Sequence, residues 1–117
     1  MPVLLLPTSY LMTLKKTPAN KRAPLPRLSN YTKIFIKDWE RLLHSGRYDM
    51  NRLKEAMLIL IANDDLLGPE WLDHPLKGIW ADYRECHIGG DFLLIYQIEG
   101  KAINFVRAGT HAELFSE

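Results

Sequence analysis

Hydrophobic positions recur with two different periods along the chain. Between Asn30 and Ser45, Tyr31, Phe35, Trp39 and Leu42 return every three to four residues, with Lys33, Lys37, Glu40 and Arg41 on the other faces. That spacing predicts an amphipathic helix, capped by Ser29-Asn30 and closed by Gly46. A second helix opens after Asp49 and runs to about Ala62, burying Leu53, Ala56, Met57, Leu60 and Ile61 and leaving Leu58 and Ile59 on its flanks. Asn63-Asp64-Asp65 and Gly68-Pro69 then break the chain into a loop reaching about Gly78.

After Gly78 the period shortens to two. Three strands are predicted at about 79–88, 91–98 and 102–108, the middle one (FLLIYQI) apolar on both faces and therefore central. Gly89-Gly90 predicts a two-residue type I′ hairpin, in which His87 stands opposite Phe92 while Asp91 stands opposite Ile88 and faces the other way. Thr110 and Glu113 have capping-box spacing and start a short last helix carrying Leu114 and Phe115. Leu25 and Leu28 around Pro26 fit a short edge strand ahead of the first helix. The resulting order, β-α-α-β-β-β-α, is an α+β layout with two helices covering one face of a small antiparallel sheet.

With 117 residues and 47% hydrophobic residues, the chain has the size and apolar content of a single domain. Its formal charge of +1 is unevenly placed. Residues 1–30 hold Lys15, Lys16, Lys21, Arg22 and Arg27 and no acid, a net +5, which leaves −4 for the remainder. Residues 1–24 thus read as a basic, proline-containing extension and 25–117 as the domain proper. Sparse charge of this kind makes a solvated arm that can also follow phosphates. The apolar run before Lys15 is too short to span a bilayer, which takes about 20 residues, and it lacks the charge order of a secretory leader. Cys86 is the only cysteine, so no internal disulfide is expected and the cytoplasm is the natural compartment.

The chemistry-bearing residues gather in the last third. His74, His87 and His111, with Arg84, Arg107 and Asp91, stand at the edges of the three apolar runs, where a small sheet delivers side chains to one open face. The histidine spacings match no local zinc-ligand motif, so no metal is expected. His44 lies outside this segment and reads as a surface residue. Trp80 and Tyr83 read as packing residues, and Trp71 as an anchor for the loop.

DHPLKG, YRECH, DFLLIY and AGTHAELF, in this order, together with DMNRLK in the second helix, resemble the YafQ branch of the RelE superfamily of bacterial toxins. The resemblance covers about Leu25 to Phe115. It implies the RelE-like fold and a toxin of a type II toxin–antitoxin module, acting as a ribosome-dependent endoribonuclease that cuts messenger RNA in the ribosomal A site with neither metal nor cofactor. It also implies a cognate antitoxin as partner, contacts with 16S ribosomal RNA, operator DNA reached only through the antitoxin, and no membrane. The family's functional set falls on His74, His87, Asp91, Arg107 and His111 as catalytic residues, with Phe92 and Phe115 binding substrate. Arg84, in YRECH, is as suited to bracing the sheet or binding a backbone phosphate as to taking part in the chemistry. Phe92 stands where close family members carry tryptophan, which keeps a stacking face and loses an N–H donor.

Those residue types suit the implied reaction. Attack by the RNA's own 2′-hydroxyl needs a base on that hydroxyl, a cation beside the phosphoryl oxygens and an acid on the leaving 5′-oxygen. Histidine serves both proton roles near neutral pH, and arginine grips phosphate through a planar fork. Asp91 is read as a base paired with a histidine or as the group that orients one. A catalytically inactive homologue acting as an antitoxin-binding co-repressor is the alternative; it predicts loss of ionisable residues that are all present here.

Overall fold

A computed structural model of the protein describes residues 25–62 and 67–115, so the extension expected at 1–24 lies outside the described residues. Strand β1 (Leu28–Tyr31) leads into helix α1 (Lys33–Ser45) and helix α2 (Met50–Ala62). A two-residue strand β2 (His74–Pro75) follows, then β3 (Arg84–Gly89), β4 (Phe92–Glu99), β5 (Ala102–Gly109) and the short helix α3 (His111–Phe115). They form one five-stranded sheet in the order β1-β5-β4-β3-β2, with β1 parallel to β5 and the other pairs antiparallel.

The expected α+β architecture is observed, but the sheet is mixed rather than antiparallel, because β1 runs parallel to β5, and several element bounds differ. The first helix starts at Lys33 rather than Asn30, because Asn30 and Tyr31 continue β1 opposite Asn104 and Phe105. Thr32 is the cap: its hydroxyl accepts the Phe35 amide at 2.9 Å and donates to the Val106 carbonyl at 2.8 Å, tying the helix start to β5. The first strand of the hairpin begins at Arg84 rather than at 79, since Gly78–Trp80 form a 3-10 turn. The segment before it instead supplies β2, whose His74 pairs with Glu85.

Helix packing fills one side of the sheet. Phe35, Leu42, Leu53, Ala56 and Leu60 meet Cys86, Ile88, Phe92, Leu94, Tyr96, Ile103 and Phe105 in the main core. The opposite face holds a smaller cluster of Leu93, Ile95 and Leu114, flanked by Trp80, Tyr83, Val106 and Phe115. This second face is only partly covered and carries Glu85, His87 and Arg107. Among the described residues no helix is long and apolar enough to cross a membrane.

Candidate active site

Two strand irregularities set the site. On β3 His87 pairs with Leu93 and Gly89 with Phe92, leaving Ile88 as an extra residue; on β5 Val106 is extra between Phe105 and Arg107. Both extra residues have their carbonyls taken by side chains from the helical layer. Arg52 Nε donates to Ile88 at 2.8 Å while its guanidinium sits 3.9 Å from the centre of the Trp71 ring, and Thr32 serves Val106. Trp71 thus anchors the loop, as expected, and is buried.

The first bulge corrects the hairpin expectation. His87 does not stand opposite Phe92, and the turn residues are Gly90, at φ 54°, and Asp91. Of the Gly89-Gly90 pair, Gly90 but not Gly89 takes the positive φ that glycine allows without strain. Asp91 therefore leaves the sheet and its carboxylate is free to cross to α3. There Asp91 Oδ1 accepts from the His111 ring at 2.6 Å and from the His111 amide at 3.3 Å. These two bonds, the ring first, hold the Asp91 carboxyl below its ordinary pKa.

Register explains the rest of the cluster. Paired residues share a face, so the row His74–Glu85–Ile95–Arg107 crosses four strands on the open side, with His87 next to Glu85 along β3. Glu85 is buried, and its Oε2 faces Nε2 of His74, His87 and His111 at 3.4, 3.6 and 4.0 Å. His74 Nδ1 lies 2.8 Å from the Leu72 carbonyl, which can only accept, so Nδ1 carries the proton there. Ring centres of His74 and His87 are 6.1 Å apart, and those of His87 and His111 6.3 Å. The three histidines expected to converge do so, around a carboxylate the motif reading passed over.

Arg107 reaches past the rim of β5 to Asp38 of α1, donating from Nε at 2.9 Å and from Nη2 at 3.1 Å. Burial pushes the Asp38 carboxyl up, but the bonds from Arg107, Arg41 and the Ala108 amide outweigh it and the net direction is down. Helix α3 is held by the expected capping box, Thr110 N to Glu113 Oε1 at 2.9 Å and Glu113 N to Thr110 Oγ1 at 3.3 Å. It presents Phe115 half-buried, 5.9 Å from His111 and edge-on to Trp80 at 5.8 Å.

Two expected substrate contacts are placed elsewhere. Phe92 is buried on the helix side, 4.9 Å from the Tyr48 ring, because the bulge puts its side chain on the face opposite His87. Arg84 pairs with Tyr96 on that same helix side and binds Asp73 at 3.3 Å, so it braces the loop before His74. Cys86 is fully buried, and burial pushes its thiol well up, so it is no nucleophile here. His44 bonds the Glu40 carbonyl on the surface of α1.

His74, Glu85 and His87 have ligand atoms within 4.8 Å of one another, close enough to share a divalent cation. Sequence spacing did not reveal this because the third donor is Glu85, brought to His74 by strand pairing. Nitrogen and carboxylate donors of this kind suit zinc or copper.

A chain with this fold and this histidine cluster matches the toxins of bacterial type II toxin–antitoxin systems. A family model described as "Bacterial toxin of type II toxin-antitoxin system, YafQ" matches residues 27–116, and the chain belongs to that family. It is 42% identical over 85 residues to the mRNA interferase toxin YafQ of Escherichia coli K12, covering 73% of this chain and 91% of the relative. The toxin in the crystal structure of the E. coli DinJ–YafQ toxin–antitoxin complex is 41% identical with a TM-score of 0.70, covering 78% of this chain and 99% of the other. A copper-bound mutant toxin from Helicobacter pylori is 39% identical with a TM-score of 0.70, covering 76% of this chain and 99% of the other.

Proposed function

We propose that this toxin is an mRNA interferase of the cytoplasm, a metal-independent endoribonuclease that cleaves messenger RNA in the ribosomal A site and leaves a 2′,3′-cyclic phosphate. The observation that carries the reading is the convergence of three histidine rings on Glu85, with His111 bound to Asp91 and Arg107 in the same row of the sheet. In this reading His87, helped by His74, takes the 2′-hydroxyl proton; Arg107 stabilises the charge growing on the phosphoryl oxygens; His111 protonates the leaving 5′-oxygen. Asp91 orients His111 and acts through it, since an acid that donates Nδ1–H to a carboxylate keeps Nε2 for the reacting oxygen. Phe115, with Trp80 behind it, stacks an unpaired base, the role the family pattern shares between Phe115 and Phe92.

Activity is expected to depend on the ribosome, where 16S ribosomal RNA supplies the phosphate contacts that an acidic domain lacks. The partner in the resting cell is a cognate antitoxin, as in the DinJ–YafQ complex, and operator DNA is reached only through it. Tyr31, Phe35, Ile36, Trp39 and Met57 line a groove of about 280 Å³ between β1 and the two helices, and a neighbouring groove that shares Tyr31 and Met57 reaches exposed Leu58. That apolar surface suits an antitoxin segment.

Copper, named for the H. pylori relative, would find fitting donors in His74, Glu85 and His87. A cation there would occupy ring nitrogens that the proton transfers need, so its place in this reading is as an inhibitor. The test of the whole proposal is primer extension on a defined messenger RNA incubated with the protein, with and without ribosomes. Breaks confined to translated codons support it; equal cleavage of naked RNA, or none in either arm, overturns it.

A further inference from the structure

We propose that Asp38, on α1 and outside the histidine cluster, is the positioning residue for Arg107. This rests on the reading of Arg107 as the cation of the reaction. Strand β1 ends at Tyr31 opposite Phe105, so β5 has no strand neighbour on that side beyond the Val106 bulge. Side chains of α1 take the missing strand's place. The Ala108 amide donates to Asp38 Oδ2 at 3.1 Å, and the Ala108 carbonyl accepts from Arg41 Nη2 at 3.4 Å.

Asp38 therefore holds both the backbone and the side chain of this stretch. With only 1% of its surface exposed, it accepts from Arg107 Nε and Nη2, from Arg41 Nη1 at 2.8 Å and from the Ala108 amide. A guanidinium has five N–H groups in a rigid fork, and fixing the Nε edge orients the remaining ones as a unit. Arg107 keeps a partly exposed side chain with its Nη1 edge uncommitted to Asp38. That edge is the one left for a phosphoryl oxygen. Arg41 is held by the same carboxylate and by Glu113 at 3.3 Å, so two cations and two anions balance at the rim. Replacing Asp38 by a neutral amide leaves two guanidiniums side by side, and its NH2 cannot accept the bonds that Oδ2 now takes.

A buried ion pair that served stability alone would give a different result from one that aims a catalytic group. The experiment is a double-mutant cycle of Asp38→Asn and Arg107→Ala, in single-turnover cleavage on programmed ribosomes, with the Arg107 Nε–H resonance recorded by NMR in the full chain. Asp38→Asn should lower the maximal rate at least about tenfold and change the half-saturating ribosome concentration less than about twofold; Arg107→Ala should lower the rate about 10²-fold, the scale of losing one charge-stabilising donor. Asp38→Asn should then add nothing to Arg107→Ala. The Nε–H resonance should shift or broaden in Asp38→Asn. If Asp38→Asn does not fold, Asp38→Glu, which keeps the charge and displaces it by one methylene, carries the same cycle. Equal losses from the Asp38 change with and without Arg107, or an unmoved Nε–H resonance, overturn the proposal. A fully active Arg107→Ala variant would instead overturn the reaction scheme, leaving the resonance to decide whether Asp38 holds the arginine.

Discussion

His111 Nδ1 lies 2.6 Å from Asp91 Oδ1, although the two residues are twenty positions apart and an ideal hairpin would turn Asp91 away. The one-residue bulge at Ile88 moves the turn onto Gly90-Asp91, and this small shift makes the pair. The Asp91 carboxyl is depressed, so its folded-state pKa is below the unfolded one. The pair is thus intact above the ordinary carboxylate value of about 3.9 and is lost as pH falls through the depressed value. An NMR titration should find Asp91 ionising below the ordinary carboxylate range, and Asp91→Asn should lower cleavage by about tenfold or more at neutral pH with the fold unchanged. An unshifted Asp91, together with a fully active Asp91→Asn variant, would remove the pair from the account.

Glu85 is the second carboxylate of the site and the one buried among the rings. Glu85→Gln keeps the shape and removes the charge facing three histidines, so cleavage should fall about tenfold or more while the melting temperature changes little. The same substitution bears on metal. Micromolar copper or zinc should inhibit the native protein, chelator should restore it, and Glu85→Gln should need more metal for equal inhibition. Stimulation by the metal would contradict this assignment.

Stability should depend on a polar contact behind the site. The Asp73 side chain is buried and receives the Tyr96 hydroxyl at 2.6 Å and Arg84 Nε at 3.3 Å, which fixes the loop that delivers His74. Tyr96→Phe removes one of these and leaves the carboxylate short of a donor. Urea unfolding should show a loss of about 1–3 kcal/mol. A loss below about 0.5 kcal/mol would mean that water replaces the hydroxyl.

Leu58 was expected to stand free on the flank of the second helix and does, at 63% exposure, whereas Ile59 packs partly against the core. Leu58→Arg should weaken binding of the cognate antitoxin at least about tenfold, about 1.4 kcal/mol, without changing cleavage by the free toxin. Calorimetry with the purified antitoxin checks this, and unchanged affinity would move the interface elsewhere.

Much of this molecule was legible in the sequence because its helices and strands keep their periods. The stripe of Phe35 and Leu42, the apolar β4 and the Thr110–Glu113 box all fall where local rules put them. What escaped reading depends on contacts between distant segments. Nothing local marks Ile88 and Val106 as bulges, since the groups that satisfy their carbonyls come from Arg52 and Thr32. Asp38 reads as one more charge on a helix surface until β1 stops short and leaves β5 to be capped. Strand β2 is two residues long and exists only through its pairing with β3. Glu85 could have been found: it stands two residues before His87 and so shares its face on any strand. Phe92 was misplaced for the same reason Asp91 was, because a one-residue shift exchanges the faces of everything before the turn.

The central claim is that His111 is the acid of a metal-independent cleavage. Single-turnover cleavage on programmed ribosomes, with excess chelator and across pH 5 to 9, tests it most directly when native protein is compared with His111→Ala. The account predicts products ending in 2′,3′-cyclic phosphate, activity that survives chelation, and a loss of about 10²- to 10⁴-fold in His111→Ala with antitoxin binding unchanged. Cleavage that requires added divalent metal, or a fully active His111→Ala variant, would contradict it.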